Sequence, residues 1–414
     1  MSKALAAQGS PHSYRYLNRL LGRVGSFGIS AVAGFALTLA SFWESLNSAR
    51  LGAVIIVLFL LHLLRYPRFR FDREAALYAT LVVYMLISLL WTDNVRLAMN
   101  TLVPAVAFVS ILFLFSALAT YHNLHSVLAG VLCGVILGSS IYSKISRFPF
   151  AYPVDFSYNA IAGMYLFGLF IALLFGCYRR SKLLLFVALL FFMLVLATTS
   201  IKFNLGIALG GISAGVIYFK HFLKSLGRNV FPLMVFGGAL IFAVASSGEL
   251  RRSVESGIDR ALLGIQVLQA RENVPGYSAF GSRARWQRDG LEGWVENPLF
   301  GHGVEAFRDR YGITSHSTPI DLLYNSGLIG FFLFYAILVS LMWRLFQWSR
   351  RETEDGIHAL IFGTAACYLF ISLSAPLHYS AFFAAFIAMS AAVLNRRVAV
   401  PDANARADSG TVNE

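Results

Sequence analysis

Three clusters of polar residues in this sequence have the side chains needed to bind or transform a phosphorylated substrate. The first is Lys202, which lies between two apolar runs with almost no polar linker. A cation inside hydrocarbon costs about 2.5–3.5 kcal/mol at the centre of a span, so a binding site for an anion is one explanation. The alternative is a lysine side chain that extends to the phosphates of lipid headgroups.

The second cluster is a group of three arginines, Arg283, Arg285 and Arg288. A planar guanidinium binds phosphate oxygens through two parallel hydrogen bonds, so the cluster suits a phosphate or a diphosphate. A helix dipole favours anions at a helix start, so it does not explain arginines there. Only Arg285 and Arg288 have the spacing to share one helix face. The alternative is a solvated face that pairs with Glu292 and Glu296.

The third cluster is centred on His316, in the sequence Ser-His-Ser-Thr-Pro from residue 315 to 319. We expect Ser317 or Thr318 to cap a helix beginning at Pro319, which places His316 just above the membrane. An imidazole with the ordinary pKa of about 6.5 can exchange a proton near neutral pH, although a lone histidine is more often structural. His378 is predicted to be structural. No Ser-His-Asp order, carboxylate pair or His-Glu-x-x-His motif supports hydrolytic or metal chemistry.

The composition predicts that membrane-spanning helices position these clusters. Of 414 residues, 57% are hydrophobic and 13% are charged, whereas a soluble domain has about 45–50% and about 25%. Mean hydropathy is +0.65. These values exclude a soluble enzyme, a basic nucleic-acid binder and a disordered chain. The net charge of +13 fits mainly the Lys and Arg that membrane proteins keep on cytoplasmic loops.

Apolar runs of suitable length predict an all-α polytopic membrane protein with about twelve transmembrane helices and one large, partly helical periplasmic loop. The candidate spans are Phe27–Ser45, Leu51–Leu64, Ala76–Trp91, Met99–Ala119, His125–Ile141, Asn159–Cys177, Leu183–Thr199, Phe203–Phe219, Val230–Ser246, Pro319–Met342, Ile357–Ser374 and Pro376–Leu394. Three cysteines, odd in number and scattered, predict neither a disulfide framework nor a structural metal site.

The distribution of cations predicts the orientation. Outside the long loop, twenty Lys and Arg residues fall on one side of the alternating connections and five on the other, so both termini are predicted to be cytoplasmic. Residues 1–26 are then a cytoplasmic segment, 27–246 hold helices one to nine, 247–318 form the periplasmic loop, 319–394 hold the last three helices, and 395–414 are a disordered cytoplasmic tail.

The periplasmic loop is predicted to carry its own structure. It contains nine arginines and nine acidic residues, so it is neutral and not a polybasic tail. Helical spacing of apolar residues predicts a helix over Ala284–Glu296, closed by Asn297-Pro298, with a turn at Gly301 and Gly303. A loop of this length with an internal helix is usually functional.

The order of these motifs resembles the O-antigen ligase and polysaccharide polymerase superfamily of bacterial inner-membrane proteins. The resemblance covers about Tyr158 to Gly330 and is carried by Tyr158-Asn159, Ser282-Arg283, Asn297-Pro298-Leu299-Phe300-Gly301-His302-Gly303, His316, Asp321-Leu322-Leu323 and Gly327-Leu328-Ile329-Gly330. The chain departs from the family pattern at three positions. Ser-Ile-Lys202 stands for Ser-Arg, Ser317 follows the histidine in place of Asn, and Asp321 stands for Glu.

The resemblance implies a metal-independent glycosyltransferase without a cofactor, acting at the periplasmic face of the bacterial inner membrane. Its donor is an undecaprenyl-diphosphate-linked glycan, its acceptor is a glycan or lipid A–core, and no nucleic acid is involved. The implied site residues fall into three groups: diphosphate binding by Lys202, Arg283, Arg285 and Arg288; catalysis by His316 with Arg283; support from Asn159 and Asp321.

Several functions remain open at this point. The superfamily contains ligases, polymerases and protein O-oligosaccharyltransferases, and the unusual Ser-Ile-Lys and His-Ser-Thr segments slightly favour polymerisation. A polytopic transporter is an alternative, because about twelve helices with both ends inside are common there, although no corresponding pair of interrupted halves is visible in the sequence. A non-catalytic component of a cell-envelope polysaccharide export complex is another.

Overall fold

The described part of the chain is built from α-helices. A computed structural model describes residues 73–121, 124–146, 158–179, 181–198, 200–218, 278–349, 356–378 and 380–408, with four helical positions between 31 and 38, and these ranges contain no strand. The helices are α1 (Arg73–Ile87), α2 (Val95–Tyr121), α3 (Leu124–Ser146), α4 (Tyr158–Arg179), α5 (Lys182–Ala197), α6 (Ile201–Ile217), α7 (Ser278–Trp294), α8 (Ala306–Tyr311), α9 (Thr318–Ser349), α10 (Gly356–Ser372) and α11 (Ala381–Asp408).

The helices have the length and composition of a membrane protein. Three segments are long and apolar enough to cross a membrane: Arg73–Leu90, Val95–Leu114 and Thr318–Trp348. Shorter apolar helices fall at six further predicted spans. The predicted spans Leu51–Leu64 and Val230–Ser246, and nearly all of Phe27–Ser45, lie outside the described residues. So does the loop from 247 to 277.

Two predicted boundaries near the end of the chain differ from the structure. The last span was predicted to begin at Pro376, but α11 begins at Ala381, because the backbone before it bonds to other elements instead of forming a helical turn. The tail 395–414, predicted to be disordered, continues α11 as far as Asp408. Good helix formers, Arg and Ala, dominate that extension.

Small residues bring α6 and α10 into close contact. A Cβ atom at Gly210 of α6 would overlap the carbonyl oxygen of Gly363 in α10, and one at Gly206 would lie 3.0 Å from the Cys367 sulfur. Small residues in this spacing let two helix backbones approach closely, which is a common source of association between membrane helices. This contact fixes the start of α6 relative to the end of α10.

Over residues 382–394, α11 is the most completely buried of the described helices. Every side chain from Phe382 to Leu394 is buried, and Phe386 packs edge-on against Phe170 of α4 at 4.9 Å and against Tyr368 of α10 at 5.0 Å. A helix that is apolar on all sides is expected at the centre of a bundle. Among the described helices, α1, α2 and α4 pack directly on α11.

One end of the bundle is held by a buried ion pair. Arg344 of α9 donates two hydrogen bonds to the Glu74 carboxylate of α1, at 2.9 and 3.0 Å, and a third to Asn395 Oδ1 of α11 at 2.7 Å. Glu74 is completely buried. Tyr218, after α6, donates to the Leu345 carbonyl at 3.0 Å. We refer to this region as the Arg344 end.

Candidate functional site

The opposite end of the bundle gathers the start of α6, the start of α9 and the end of α10, together with α7 and α8. It contains His316 and Lys202, and we refer to it as the His316 end. The structure describes this end from residue 278 onward within the long predicted loop.

The helix α9 is interrupted at Gly327 near the His316 end. Gly327 has φ 60° and ψ −164°, so residues 318–326 and 328–349 form two segments. Only glycine adopts this backbone conformation readily. A break in a membrane helix leaves backbone groups without their usual partners, and these must be paired by other parts of the protein.

The loop from Pro298 to Gly303 supplies those partners. The N–H groups of Leu328 and Ile329 donate to the Pro298 and Leu299 carbonyls at 2.9 and 3.3 Å. In return, the N–H groups of His302 and Gly303 donate to the Tyr324 and Asn325 carbonyls at 2.9 and 2.8 Å. This explains the predicted turn at Gly301 and Gly303, both of which have positive φ.

Sequence reasoning missed the break and its further support from α1. The Tyr84 hydroxyl of α1 lies 2.9 Å from the Phe300 carbonyl oxygen and 3.1 Å from that of Ser326. A Cβ at Gly301 would overlap the backbone of Asn325 and Ser326. The sequence signal for the break is the Gly327-Leu-Ile-Gly330 motif, because glycine readily adopts the backbone angles found at residue 327.

An apolar group borders the same loop. Leu90, Leu299 and Phe300 are 85%, 55% and 55% exposed, and the Trp91 ring lies 6.2 Å from that of Phe300. Exposed apolar side chains clustered in this way mark contact with a membrane or a partner. Here they continue the apolar exposed surface of α1, which includes Val83 and Ile87.

The helix α7 packs on α9 through two glycines. A Cβ at Gly290 would overlap Ile320, and one at Gly293 would contact the Tyr324 ring closely. The predicted helix Ala284–Glu296 is therefore present, but it begins earlier, at Ser278. The arginine cluster was expected at the start of this helix. Because the helix begins earlier, the cluster lies inside it.

The three arginines of α7 occupy different positions relative to this packing. Arg285 and Arg288 are exposed, and Arg285 pairs with Asp289 at 3.7 Å, whereas the expected partners were Glu292 and Glu296. The Arg283 side chain lies outside the described residues. Position 283 is two helical turns before Gly290, so it occupies the α9-facing side of α7 in register.

His316 lies beside α7 in a tightly bonded turn. Its backbone has φ 58°, a left-handed conformation that few residues other than glycine adopt. Its ring is 5.9 Å from the Trp286 ring, centre to centre. Around it, the Ser315 hydroxyl donates to the Ser317 carbonyl at 2.9 Å and accepts from the Ser317 N–H at 3.1 Å. The turn holds the imidazole in a defined place.

Asp321 supports this turn through the backbone. Its Oδ1 accepts the Ser315 N–H at 3.0 Å, and the side chain is buried. Asp321 was predicted to orient His316, and the contact to Ser315 reaches the residue directly before it. Ser317 occupies one of the two predicted cap positions, since its carbonyl accepts the first helical N–H, that of Asp321, at 2.9 Å. The Thr318 side chain bonds outside its own helix.

The connection from α10 to α11 links Lys202 to the start of α9. Lys202 Nζ donates to the Ser374 carbonyl at 2.7 Å. The Thr318 hydroxyl donates to the carbonyl of the next residue, Ala375, and accepts the Leu377 N–H at 2.8 Å. Lys202 and the turn of His316 are therefore fixed to consecutive residues of one connection. A cation beside the last carbonyls of α10 also complements the dipole of that helix.

The connection continues into the bundle, where His378 is buried, and its structural role stays a prediction. Its carbonyl accepts the Tyr78 hydroxyl at 2.7 Å, and its ring packs edge-on against Phe334 at 6.3 Å. His378 is only 3% exposed, so His316 is the more accessible of the two imidazoles.

The start of α4 lies close to the start of α6. A Cβ at Gly163 would lie 3.6 Å from the Phe203 ring, next to Lys202. Asn159 is one helical turn before Gly163 on α4, in the direction of the His316 end. Its side chain lies outside the described residues.

A network of aromatic and charged residues occupies the space beside α8. The His302 ring stacks on Tyr324 at 4.6 Å, and His302 Nε2 is 2.8 Å from the Gly293 carbonyl. The hydrogen bond from Arg310 to the Tyr324 hydroxyl raises the pKa of Arg310 above its ordinary value. Burial raises the pKa of Tyr311. Arg310 thus stays a cation and Tyr311 a neutral phenol at neutral pH. Among the described residues, no group of His, Cys, Asp or Glu could hold a metal ion.

No protein-family model and no curated protein matches this chain. The resemblance to the O-antigen ligase and polysaccharide polymerase superfamily therefore rests on the motif residues themselves. Of the site residues that the resemblance implies, the structure describes the side chains of Lys202, Arg285, Arg288, His316 and Asp321, and those of Arg283 and Asn159 lie outside the described residues.

Proposed function

We propose that the protein is a membrane glycosyltransferase that moves or polymerises a glycan from an undecaprenyl-diphosphate carrier. The reaction takes place at the His316 end, which lies on the periplasmic side of the bacterial inner membrane. The Arg344 end lies on the cytoplasmic side. The observation that carries the proposal is the Ser374–Ala375 connection, which contacts Lys202 on one side and Thr318, two residues after His316, on the other.

The chemistry follows from the residue types. The carrier's diphosphate is the leaving group, and negative charge builds on it as the bond between the sugar C1 and the phosphate oxygen breaks. Lys202 and Arg283 stabilise that charge, because fixed cations lower the energy of a transition state in which charge develops. Arg285 and Arg288 are both exposed, so we expect them to contribute less to stabilising the charge on the diphosphate.

His316 serves as the base for the acceptor. Its imidazole accepts the proton of the attacking hydroxyl while the acceptor oxygen forms the new bond to C1. The proton then leaves to solvent, and the released diphosphate stays bound to the prenyl chain. The turn formed by Ser315, Ser317 and Asp321 keeps the imidazole in place, which reduces the entropy cost of reaching the reactive geometry.

A reconstituted transfer assay tests the proposal. The purified full chain is placed in lipid vesicles with an undecaprenyl-diphosphate-linked glycan and several glycan or lipid A–core acceptors. His316→Ala and Arg283→Ala are expected to abolish transfer at unchanged expression. Arg288→Ala is the matched arginine control, expected to retain most activity, and His12→Ala is the matched histidine control.

The outcomes separate the roles. Full transfer by His316→Ala removes the histidine from the mechanism, and absence of transfer by the wild-type protein with every acceptor rejects the enzyme. The acceptor that works distinguishes a ligase, which uses lipid A–core, from a polymerase, which extends a carrier-bound glycan.

A transporter is a second candidate, and the interruption of α9 favours it. Transporters place their substrates at broken helices. The backbone groups freed by the break at Gly327 bond to Pro298–Gly303 and need no substrate to pair them, which favours the enzyme. Movement of a lipid-linked glycan across vesicles, without any change in its length, would identify a transporter. A non-catalytic component of an export complex would show neither activity alone.

A further inference from the structure

A polar pocket lies at the His316 end and is lined in part by the first segment of α9. It has a volume of about 340 Å³ and lies between the α1–α2 connection and residues 302–310. Ligand pockets in proteins start at about 300 Å³, so it can hold a small ligand or one end of a larger one. Among the described residues, its lining includes neither Lys202 nor His316. Its polar lining is formed mainly by Thr92, Asp93, Asn94, Asp309, Arg310 and Tyr324.

The walls of this pocket are fixed by contacts across elements. Asn94 Nδ2 donates to Asp309 Oδ1 at 2.7 Å, and Asn94 Oδ1 accepts the Leu97 N–H at 3.0 Å. Gly303 has φ 98°, and a Cβ there would overlap the Thr92 hydroxyl. The connection before α2 and the start of α8 therefore form one preformed cleft.

The charges in the pocket exclude a phosphate. Asp93 and Asp309 contribute two carboxylates, and Arg310 is the one guanidinium in the lining. Arg310 is shared with the Tyr324 hydroxyl at 3.3 Å and with Glu296 at 3.5 Å. The balance is negative, so the pocket repels the diphosphate that the other site attracts. The described residues also offer no group of three ligands for a metal ion.

The available groups suit a ligand rich in hydroxyls. Asp93 is exposed and makes no hydrogen bond or ion pair with the described residues, and Asp309 Oδ2 remains beside the bonded Oδ1. Carboxylates accept strong hydrogen bonds from hydroxyl groups, and a guanidinium donates to ring or hydroxyl oxygens. Such a combination of several acceptors with one planar donor matches a sugar ring.

We propose that this pocket binds a sugar residue of the acceptor glycan; the assignment of that sugar to the acceptor rests on the proposed transferase function. Tyr324, in the pocket wall, lies one helical turn after Asp321 on the first segment of α9. The segment that begins beside His316 therefore also forms the wall of this pocket. A glycan held by Asp93 and Asp309 is anchored away from the diphosphate while its end approaches the imidazole.

Binding of free sugars tests the pocket without any transfer reaction. The full chain in detergent is mixed with a panel of neutral hexoses and N-acetylhexosamines, and saturation-transfer NMR measures binding. At least one sugar is expected to bind to the wild type, with affinity reduced about tenfold in Asp93→Ala and Asp309→Asn, since each loses a charged hydrogen-bond acceptor. Glu292→Gln, an exposed carboxylate on α7, is the matched control and should bind as the wild type does.

Asp93→Ala is the more decisive variant, because Asp93 is exposed and makes no hydrogen bond or ion pair with the described residues. If no sugar binds to the wild type, or if both variants bind sugar as tightly as the control, the pocket is not a glycan site.

Transfer kinetics separate this proposal from the proposed function. In the vesicle assay, Asp93→Ala is expected to raise the acceptor KM about tenfold with the donor KM unchanged. An unchanged acceptor KM overturns the pocket and leaves the transferase standing. Sugar binding that depends on Asp93, in a protein that transfers nothing, leaves the pocket standing and rejects the transferase.

Discussion

At the scale of single residues, the backbone of His316 is the most informative feature of the site. A left-handed conformation costs a residue with a side chain about 1–3 kcal/mol and persists only where its surroundings impose it. Here the imposing contacts are the bonds of Ser315 and Ser317 to each other and to Asp321. A histidine kept in such a turn, where glycine would fit without strain, suggests that its imidazole is needed.

Replacing His316 by glycine or by alanine separates backbone strain from chemistry. Both variants lack the imidazole, so neither should transfer a glycan. His316→Gly relieves the strain at φ 58°. Its free energy of unfolding is therefore expected to be about 1 kcal/mol higher than that of His316→Ala. Thermal melting in detergent, followed by tryptophan fluorescence, checks this order. Equal stability of the two variants would contradict the backbone argument.

Substitutions of Asp321 distinguish its hydrogen bond from its charge. Asp321→Asn keeps an oxygen for the Ser315 N–H, so we expect stability within about 1 kcal/mol of the wild type. Asp321→Ala leaves that buried donor without a partner and is expected to cost about 1–3 kcal/mol. Transfer activity should follow the same order. Loss of transfer in a fully stable Asp321→Asn protein would instead assign a role to the negative charge.

At the scale of elements, the helices were predictable and their interruption was not. Continuous apolar runs give α2, α4 and α10 near their predicted positions, because a helix that crosses hydrocarbon must be long and apolar. The run from Pro319 to Met342 reads the same way, yet α9 breaks at Gly327. The break depends on Pro298–Gly303 pairing with it from a distance along the chain, which no local pattern encodes.

The same limit applies to the site. The motif order placed His316, Asp321 and Lys202 at one end, and the structure links all three to neighbouring backbone. Sequence spacing could not show that Lys202 bonds a carbonyl of the α10–α11 connection, nor that Thr318 bonds outside its helix. The Lys202 contact follows from the packing of α6 against α10, which the glycines Gly206, Gly210 and Gly363 permit.

Alanine at Gly327 tests the interrupted helix. The added Cβ would overlap the Leu299 backbone at a conformation that only glycine adopts readily, so Gly327→Ala is expected to lose about 3 kcal/mol of stability and the transfer activity. Gly211→Ala is the matched control: a Cβ there meets nothing within 4 Å in α6, and alanine should be neutral or slightly stabilising. Limited proteolysis and thermal melting measure both. A stable Gly327→Ala protein would show that the break is not required.

At the scale of the whole molecule, the two ends of the bundle have different tasks. The Arg344 end joins α1, α9 and α11 through one ion pair and one amide, whereas the His316 end carries the turns, the broken helix and the exposed polar groups. A buried pair of charges is costly to separate. The Arg344 end therefore holds α1, α9 and α11 in register.

Removal of one partner of this ion pair should be more damaging than removal of both. Glu74→Gln leaves Arg344 without its counter-charge and is expected to cost about 3–5 kcal/mol. The double variant Glu74→Leu/Arg344→Met leaves no unpaired charge and should recover much of that stability. Thermal melting of the wild type, of Glu74→Leu and Arg344→Met alone, and of the double variant completes the cycle, with Glu74→Gln measured beside them. If the single and double variants are equally unstable, the pair does not act as a unit.

The three exposed apolar side chains Leu90, Leu299 and Phe300 indicate where the loop from Pro298 to Gly303 meets the membrane. Covering these side chains with acyl chains removes apolar area from water, which is favourable, so we expect the loop that pairs with the break in α9 to contact lipid at the His316 end. In the proposed donor the diphosphate separates the last isoprene unit from the sugar, so the bond to be cut lies at the level of the headgroups, directly above the acyl chains. On that proposal, donor and loop meet by diffusion in the plane of the membrane while the prenyl chain stays in its leaflet.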